Sequence, residues 1–102
     1  MKIKGVQNNV IVEGNLIFDN AKQLKDGLLA KLEKFKKDRS DKEVGIDLSR
    51  IEEIDSSGIQ LLIAFFKSLQ KHKIQYKIIG MNDETVDVLE LAGLNKFFKY
   101  GN

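Results

Sequence analysis

The chain has 102 residues, 42% hydrophobic and 31% charged, which suits one soluble domain spanning 1–102 with a modest core. It contains no cysteine, which excludes disulfides and cysteine-based metal or redox chemistry. The net charge is only +2, and lysines such as Lys34, Lys36, Lys37, Lys67 and Lys71 fall late in expected helices, so no basic face suited to nucleic acid stands out.

In chain order, Lys2 to Gln7, the turn pair Asn8-Asn9 and the β-branched run Val10-Ile11-Val12, closed by Gly14, predict an opening hairpin. Asn15 to Phe18 reads as a further short extended piece. Asp19 or Asn20 can cap a helix whose apolar stripe is Ala21, Leu24, Leu28, Leu32 and Phe35. Lys36 to Lys42 reads as a polar loop. Val44 to Leu48 predicts a central strand, followed by a loop pinned to the core by Ile51 and Ile54. Asp55-Ser56-Ser57-Gly58 opens a second helix with a buried stripe of Ile59, Leu62, Ile63, Phe66 and Leu69. Ile74 to Ile79 is the next strand, closed by Gly80. Asn82 or Asp83 caps a third helix running to Ala92, which Gly93 ends. Val88 and Leu91 lie off its Val86/Leu89 line and are candidates for exposed apolar contacts. Leu94, Phe97, Phe98 and Tyr100 form a short strand or packed tail.

This alternation predicts an α/β domain: a mixed, mostly parallel sheet of four to five strands, opening with a hairpin and covered by three to four helices. The crossovers between parallel strands are expected to be right-handed. Sites in such sheets gather at strand C-terminal ends and helix N-terminal ends. Here that rule points to Asp19, to Asp47 through Ser49, to Asp55 through Gly58 and to Asn82-Asp83. The longest apolar run, Ile59 to Phe66, is far short of the ~20 residues a membrane helix needs, and the N-terminus lacks a signal-like apolar stretch. A cytoplasmic protein without direct membrane insertion is expected.

Asp55-Ser56-Ser57-Gly58 is the segment with chemistry in it. Unpaired N–H groups and a partial positive charge at a helix N-terminus accommodate a phosphate, and phosphoserine adds about −1.5 to −2 charges at pH 7. The same residues also read as a plain cap, with Asp55 or Ser56 as the N-cap.

The wider pattern is Asp47-Leu48-Ser49, then Ile54-Asp55-Ser56-Ser57-Gly58-Ile59, then Leu61-Leu62. It resembles the signature of the STAS domain, the domain of the anti-sigma factor antagonists. Gly14 to Leu16, the following helix, and Leu89 to Leu94 resemble flanking parts of that family. The resemblance implies a STAS fold and a non-enzymatic partner switch with no cofactor of its own. It implies Ser56 as the phosphorylated residue and an anti-sigma factor with serine kinase activity as partner. Unphosphorylated protein would bind that partner, ATP-dependent phosphorylation would end the binding, and a metal-dependent serine phosphatase would restore it. The expected partner-binding surface comprises Asp19, Ser49, Asp55, Ser56, Ser57, Gly58 and Gln60.

One departure bears on the partner. The family's antagonists commonly carry an acidic residue and then Asp after the early glycine, whereas this chain has Gly14-Asn15-Leu16-Ile17-Phe18-Asp19. Ile59-Gln60-Leu61-Leu62 also resembles STAS domains of chemotaxis systems and of phospholipid-transport ATPases. An accessory docking module of such a system is therefore the alternative. A serine hydrolase is disfavoured because Ser56 lacks the Gly-x-Ser-x-Gly elbow, and the one histidine, His72, lies about sixteen residues further along the helix. One histidine and scattered carboxylates make a poor metal site. Asp47 could suggest a phospho-aspartate receiver, but no acidic pair follows the first strand to hold Mg²⁺, and Asp47 reads better as a loop-fixing acceptor.

Overall fold

The computed structural model describes residues 2–6, 9–37 and 43–97, with side chains from residue 9 onward except at 95 and 97. Within it a four-stranded sheet runs in the order β1 (Lys2–Val6), β2 (Asn9–Leu16), β3 (Val44–Ile54), β4 (Tyr76–Gly80). The β1–β2 pair is the expected antiparallel hairpin, with Val6 opposite Asn9. Asn9 itself opens β2, while Asn8 lies outside the described residues. The pairs β2–β3 and β3–β4 are parallel. The helices are α1 (Ala21–Lys37), α2 (Ser56–Lys71) and α3 (Asp83–Leu91), each following a strand as parallel pairing requires. The protein is thus α/β, with one antiparallel strand on an otherwise parallel sheet.

Alternation along the strands supplies one side of the core. Val10, Val12 and Leu16 of β2, Ile46 and Leu48 of β3, and Tyr76 and Ile78 of β4 are all buried. Leu24, Leu28, Leu32 and Phe35 of α1 are buried at helical spacing, as the sequence predicts. In α2 the buried residues are Gly58, Leu62, Phe65, Phe66 and Leu69, while Ile59, Leu61 and Ile63 pack partly buried around them. The stripe is therefore rotated toward Phe65, away from the expected Ile59 and Ile63. Phe66 meets Tyr76 with ring centroids 5.3 Å apart, joining α2 to β4.

Several boundaries differ from expectation: α1 runs on through Lys36 and Lys37, expected as loop, and β4 begins at Tyr76, two residues past Ile74. Asn15 and Leu16 continue β2, so the strand passes through Gly14, at φ 99°, and a register shift between Gly14 and Asn15. The residues after Leu48 are strand as well: Arg50, Ile51, Glu53 and Ile54 pair with Glu13, Gly14, Asn15 and Leu16. Ile51 is buried and Ile54 partly so, as expected of them, but on a strand. Phe18–Asn20 forms a 3-10 turn preceded by Ile17, with no side-chain cap, so neither Asp19 nor Asn20 caps α1. The Asn20 amide instead donates to the Asn15 carbonyl at 2.8 Å. Residues 38–42, 98 and 100, where a loop and tail are expected, lie outside the described residues.

At the other end, Asn82 caps α3 by accepting from the Thr85 N–H at 2.8 Å. Its amide donates to the carbonyls of Ser49 at 3.0 Å and Ile51 at 3.1 Å, fastening α3 to β3. Gly93, at φ 79°, follows the end of α3 in the left-handed conformation that glycine adopts freely. Leu94 is fully buried and opens a 3-10 turn, where a short strand or a packed tail is expected.

Candidate functional site

The site is assembled where β2 and β3 end side by side and α2 begins. Leu16 and Ile54, the last residues of the two strands, are register partners. The Asp55 N–H donates to the Leu16 carbonyl at 3.1 Å, extending the pairing by one bond. Asp55 has extended backbone and is the N-cap of α2. Its Oδ1 accepts the N–H groups of Ser57 at 2.9 Å and Gly58 at 3.2 Å, satisfying donors that a helix start leaves open. Its Oδ2 accepts the Phe18 N–H at 2.9 Å. The Phe18 bond does most to hold the Asp55 carboxyl below its usual pKa; desolvation opposes the shift, and the Gly58 and Ser57 bonds reinforce it.

With Asp55 as cap, Ser56 is released from that duty. It is the first residue of α2 and is exposed. No hydrogen bond among the described residues engages its hydroxyl. Ser57 is half-buried behind it. Gly58 is buried against the end of β2: an added Cβ would collide with the Leu16 carbonyl oxygen and lie 2.8 Å from Leu16 Cβ. Gly58 thus lets the first turn of α2 press onto β2, which holds Ser56 beside the Ile17–Asp19 turn.

The other expected residues are placed less uniformly. Asp19 is exposed in the 3-10 turn that Asp55 tethers through Phe18, and Gln60 is exposed on α2. Ser49 is exposed on β3, five strand steps, roughly 16 Å, before Ile54. Its N–H and hydroxyl both donate to Asp47 Oδ1, at 2.9 and 2.6 Å. A Cβ on Gly80 would collide with that same Asp47 oxygen, so β4 also closes on Asp47. Asp47 is therefore the local acceptor that its sequence context suggested. Ser49 belongs to the Asp47–Asn82 neighbourhood, away from the Asp55 turn.

Two features were not singled out in the sequence. Phe18, read there as extended, is 76% exposed on its turn. Its neighbour Ile17 lines an open groove of about 350 Å³, with Ile54 and Val88 as further apolar lining and Glu52, Glu53, Asp55 and Glu84 as acidic lining. Val88 lies off the Val86/Leu89 line of α3; the glutamates look in the sequence like ordinary solvated charge. Leu91, off the same line, is 90% exposed. Among the described residues no His, Cys, Asp and Glu group could hold a metal ion, and no helix is long and apolar enough to cross a membrane.

Comparison with known proteins bears on the fold and the family. An anti-sigma-B factor antagonist of Listeria monocytogenes is 28% identical over 57 residues, 56% of this chain and 50% of the relative. The chain thus spans about half the length of that curated relative. The anti-sigma factor antagonist SpoIIAA in its unphosphorylated form superposes with a TM-score of 0.69 at 13% identity, over 99% of this chain and 87% of the other. The phosphorylated form of the Bacillus cell fate determinant SpoIIAA superposes with a TM-score of 0.65 at 13% identity, over 99% and 90% of the two chains. At these identities the superpositions establish a shared fold. The family model of the STAS domain matches residues 2–102, essentially the whole sequence, and the chain belongs to the STAS domain family.

Proposed function

We propose that this protein is a cytoplasmic anti-sigma factor antagonist, a single STAS domain over residues 1–102 that binds an anti-sigma factor kinase while Ser56 is unphosphorylated and releases it once Ser56 is phosphorylated. The observation that carries this reading is the division of labour at the start of α2. Asp55 supplies the cap, and the exposed Ser56 hydroxyl has no hydrogen-bond partner among the described residues. The relative described as an anti-sigma-B factor antagonist, and the existence of SpoIIAA in both unphosphorylated and phosphorylated forms, support the same reading.

The chemistry asks little of this chain. In the kinase site, Ser56 Oγ attacks the γ-phosphorus of ATP. The new O–P bond forms as the bond to the ADP oxygen breaks, and the hydroxyl proton passes to a kinase base. A serine phosphatase reverses the state when water attacks phosphorus, restoring the hydroxyl and releasing inorganic phosphate. ATP and metal belong to those partners; this domain is substrate and ligand.

The switch acts at the interface. A phosphate at the N-terminus of α2 meets the positive end of the helix dipole, so the fold tolerates it. A partner packed over neutral Ser56 has to accept about −1.5 to −2 added charges. A charge buried against an unmatched surface costs several kcal/mol, on the order of a thousandfold in affinity. The surface is centred on Asp55, Ser56, Ser57 and Gly58, flanked by Asp19 and Gln60, with Ser49 at its far margin.

The test is a pull-down from the native cell extract with unphosphorylated protein and with Ser56→Asp, read by mass spectrometry. The expected result is a serine kinase of the anti-sigma type recovered by the first and lost by the second. Recovery of a membrane transport ATPase by both variants would overturn the antagonist reading in favour of an accessory docking module.

A further inference from the structure

Asp55 is bound on both of its oxygens, and the two face different parts of the chain. Oδ1 takes the Ser57 and Gly58 N–H groups of α2, while Oδ2 takes the Phe18 N–H of the preceding turn. The carboxylate is planar and rigid, so whatever pulls Oδ1 from the helix start also moves Oδ2. Phe18 sits on a turn closed by the Asn20 N–H on the Ile17 carbonyl at 2.8 Å and by the Asn20 amide on the Asn15 carbonyl at 2.8 Å. The aromatic ring is 76% exposed, and the backbone that carries it is held by these bonds, which lowers the ordering cost of a contact there. Aromatic side chains of this kind are the usual anchors of protein interfaces.

We propose that Asp55 couples Ser56 to Phe18: the partner of the unphosphorylated protein seats the Phe18 ring, and phosphate on Ser56 loosens that contact through Asp55. This rests on the switch reading above and specifies how the switch reaches beyond the serine itself. A phosphoryl group brings three acceptor oxygens and its charge to the residue next to Asp55. It competes for the Ser57 and Gly58 N–H groups and repels the carboxylate that holds them. The Phe18 N–H then loses its acceptor, and the turn that carries the ring loses its tether to α2. The occupant is a protein surface because Phe18 stands out on a turn, where a small molecule could cover little of it. The adjoining groove, apolar at Ile17, Ile54 and Val88 and acidic at Glu52, Glu53 and Glu84, matches a partner face with an apolar socket flanked by basic residues.

Two measurements on the full chain test this coupling. The first follows amide hydrogen exchange by NMR in the unmodified protein, in protein carrying phosphoserine at position 56, and in Asp55→Asn. The Phe18 amide is expected to exchange about tenfold faster in both altered proteins, the loss of one hydrogen bond to a charged group, while the Leu62 amide in the core is unchanged. The second measures affinity for the purified anti-sigma factor kinase. Phe18→Ala is expected to bind about thirtyfold more weakly, the effect of removing an interface anchor, with an unaltered melting curve. A Phe18 amide that exchanges equally in the phosphorylated and unmodified proteins overturns the coupling. So does wild-type affinity in Phe18→Ala; if Ser56→Asp has meanwhile lost the partner, the switch reading stands without this link. If the phosphoprotein binds as tightly as the unmodified one, the switch reading itself fails and the link falls with it.

Discussion

Replacing Gly58 by alanine sets two physical effects against each other. Within a helix, alanine is favoured over glycine by about 1 kcal/mol, so propensity alone predicts a more stable protein. Contact geometry predicts the reverse. The new Cβ would collide with the Leu16 carbonyl oxygen and stand 2.8 Å from Leu16 Cβ and 3.0 Å from the Leu16 carbonyl carbon. Carbon atoms rest at about 3.5–4.0 Å, so α2 has to withdraw from β2 by most of an ångström. Both neighbours resist: Leu16 is fully buried, and its carbonyl already accepts the Asp55 N–H at 3.1 Å. Overpacking of this kind costs about 1–3 kcal/mol, and more when backbone has to move, so the net result is a loss of roughly 1–2 kcal/mol. For a domain near 100 residues that lowers the Tm by roughly 5–15 °C. Thermal unfolding followed by circular dichroism measures it. A Gly58→Ala protein as stable as wild type, or more stable, would refute the close approach of α2 to β2 on which the placement of Ser56 depends.

Other expectations follow from single contacts. Asn82→Ala removes the cap on Thr85 and two bonds to β3, and should cost about 1–3 kcal/mol in urea unfolding. Burial pushes the Tyr76 hydroxyl pKa up, against the pull of its bond from Gln70. Its folded pKa therefore exceeds its unfolded one, and the stability this contributes is present below the unfolded pKa and lost as pH rises through the folded value. Wild type should accordingly lose more stability than Tyr76→Phe in alkaline titrations; parallel curves would contradict this. The Asp55 carboxyl is shifted the other way, chiefly by the Phe18 N–H. Its contribution is present above the unfolded pKa and lost as pH falls through the depressed folded value, so Asp55→Asn should show a shallower acid limb than wild type. Leu91→Ser, at a position 90% exposed, should change stability by no more than about 0.5 kcal/mol.

How far the sequence could be read depended on how local each determinant is. The start of α2 was legible because capping is decided within four residues: an acceptor at Asp55 followed by free N–H groups at Ser57 and Gly58. Which of Asp55 and Ser56 is the cap was not legible, since both side chains can accept. The choice comes from Phe18, thirty-seven residues away, whose N–H engages the second oxygen of Asp55. The ends of α3 at Asn82 and Gly93 were local in the same way. The second half of β3 was not. Ser49-Arg50 and Glu52-Glu53 look like loop, and they are strand because β2 continues beside them past Gly14. Asp19 and Asn20 look like caps, but Asn20 spends its amide on Asn15. The exposure of Phe18 was hidden because an apolar residue between a strand and a helix ordinarily reads as core. The STAS signature, by contrast, lies along most of the chain, so the family was legible before the arrangement of its parts.

The central claim is that Ser56 controls a partner interface and leaves the fold alone. Its most direct test compares unmodified protein with protein carrying phosphoserine at position 56, measuring Tm and affinity for the purified anti-sigma factor kinase by calorimetry. The Tm is expected to stay within a few degrees of that of the unmodified protein, because the about 0.3–1 kcal/mol a phosphate contributes at a helix N-terminus offsets most of the local loosening at Asp55. The affinity is expected to be at least about a hundredfold weaker, the equivalent of roughly 3 kcal/mol. Equal affinity in the two forms, or a Tm that collapses on phosphorylation, would contradict the claim.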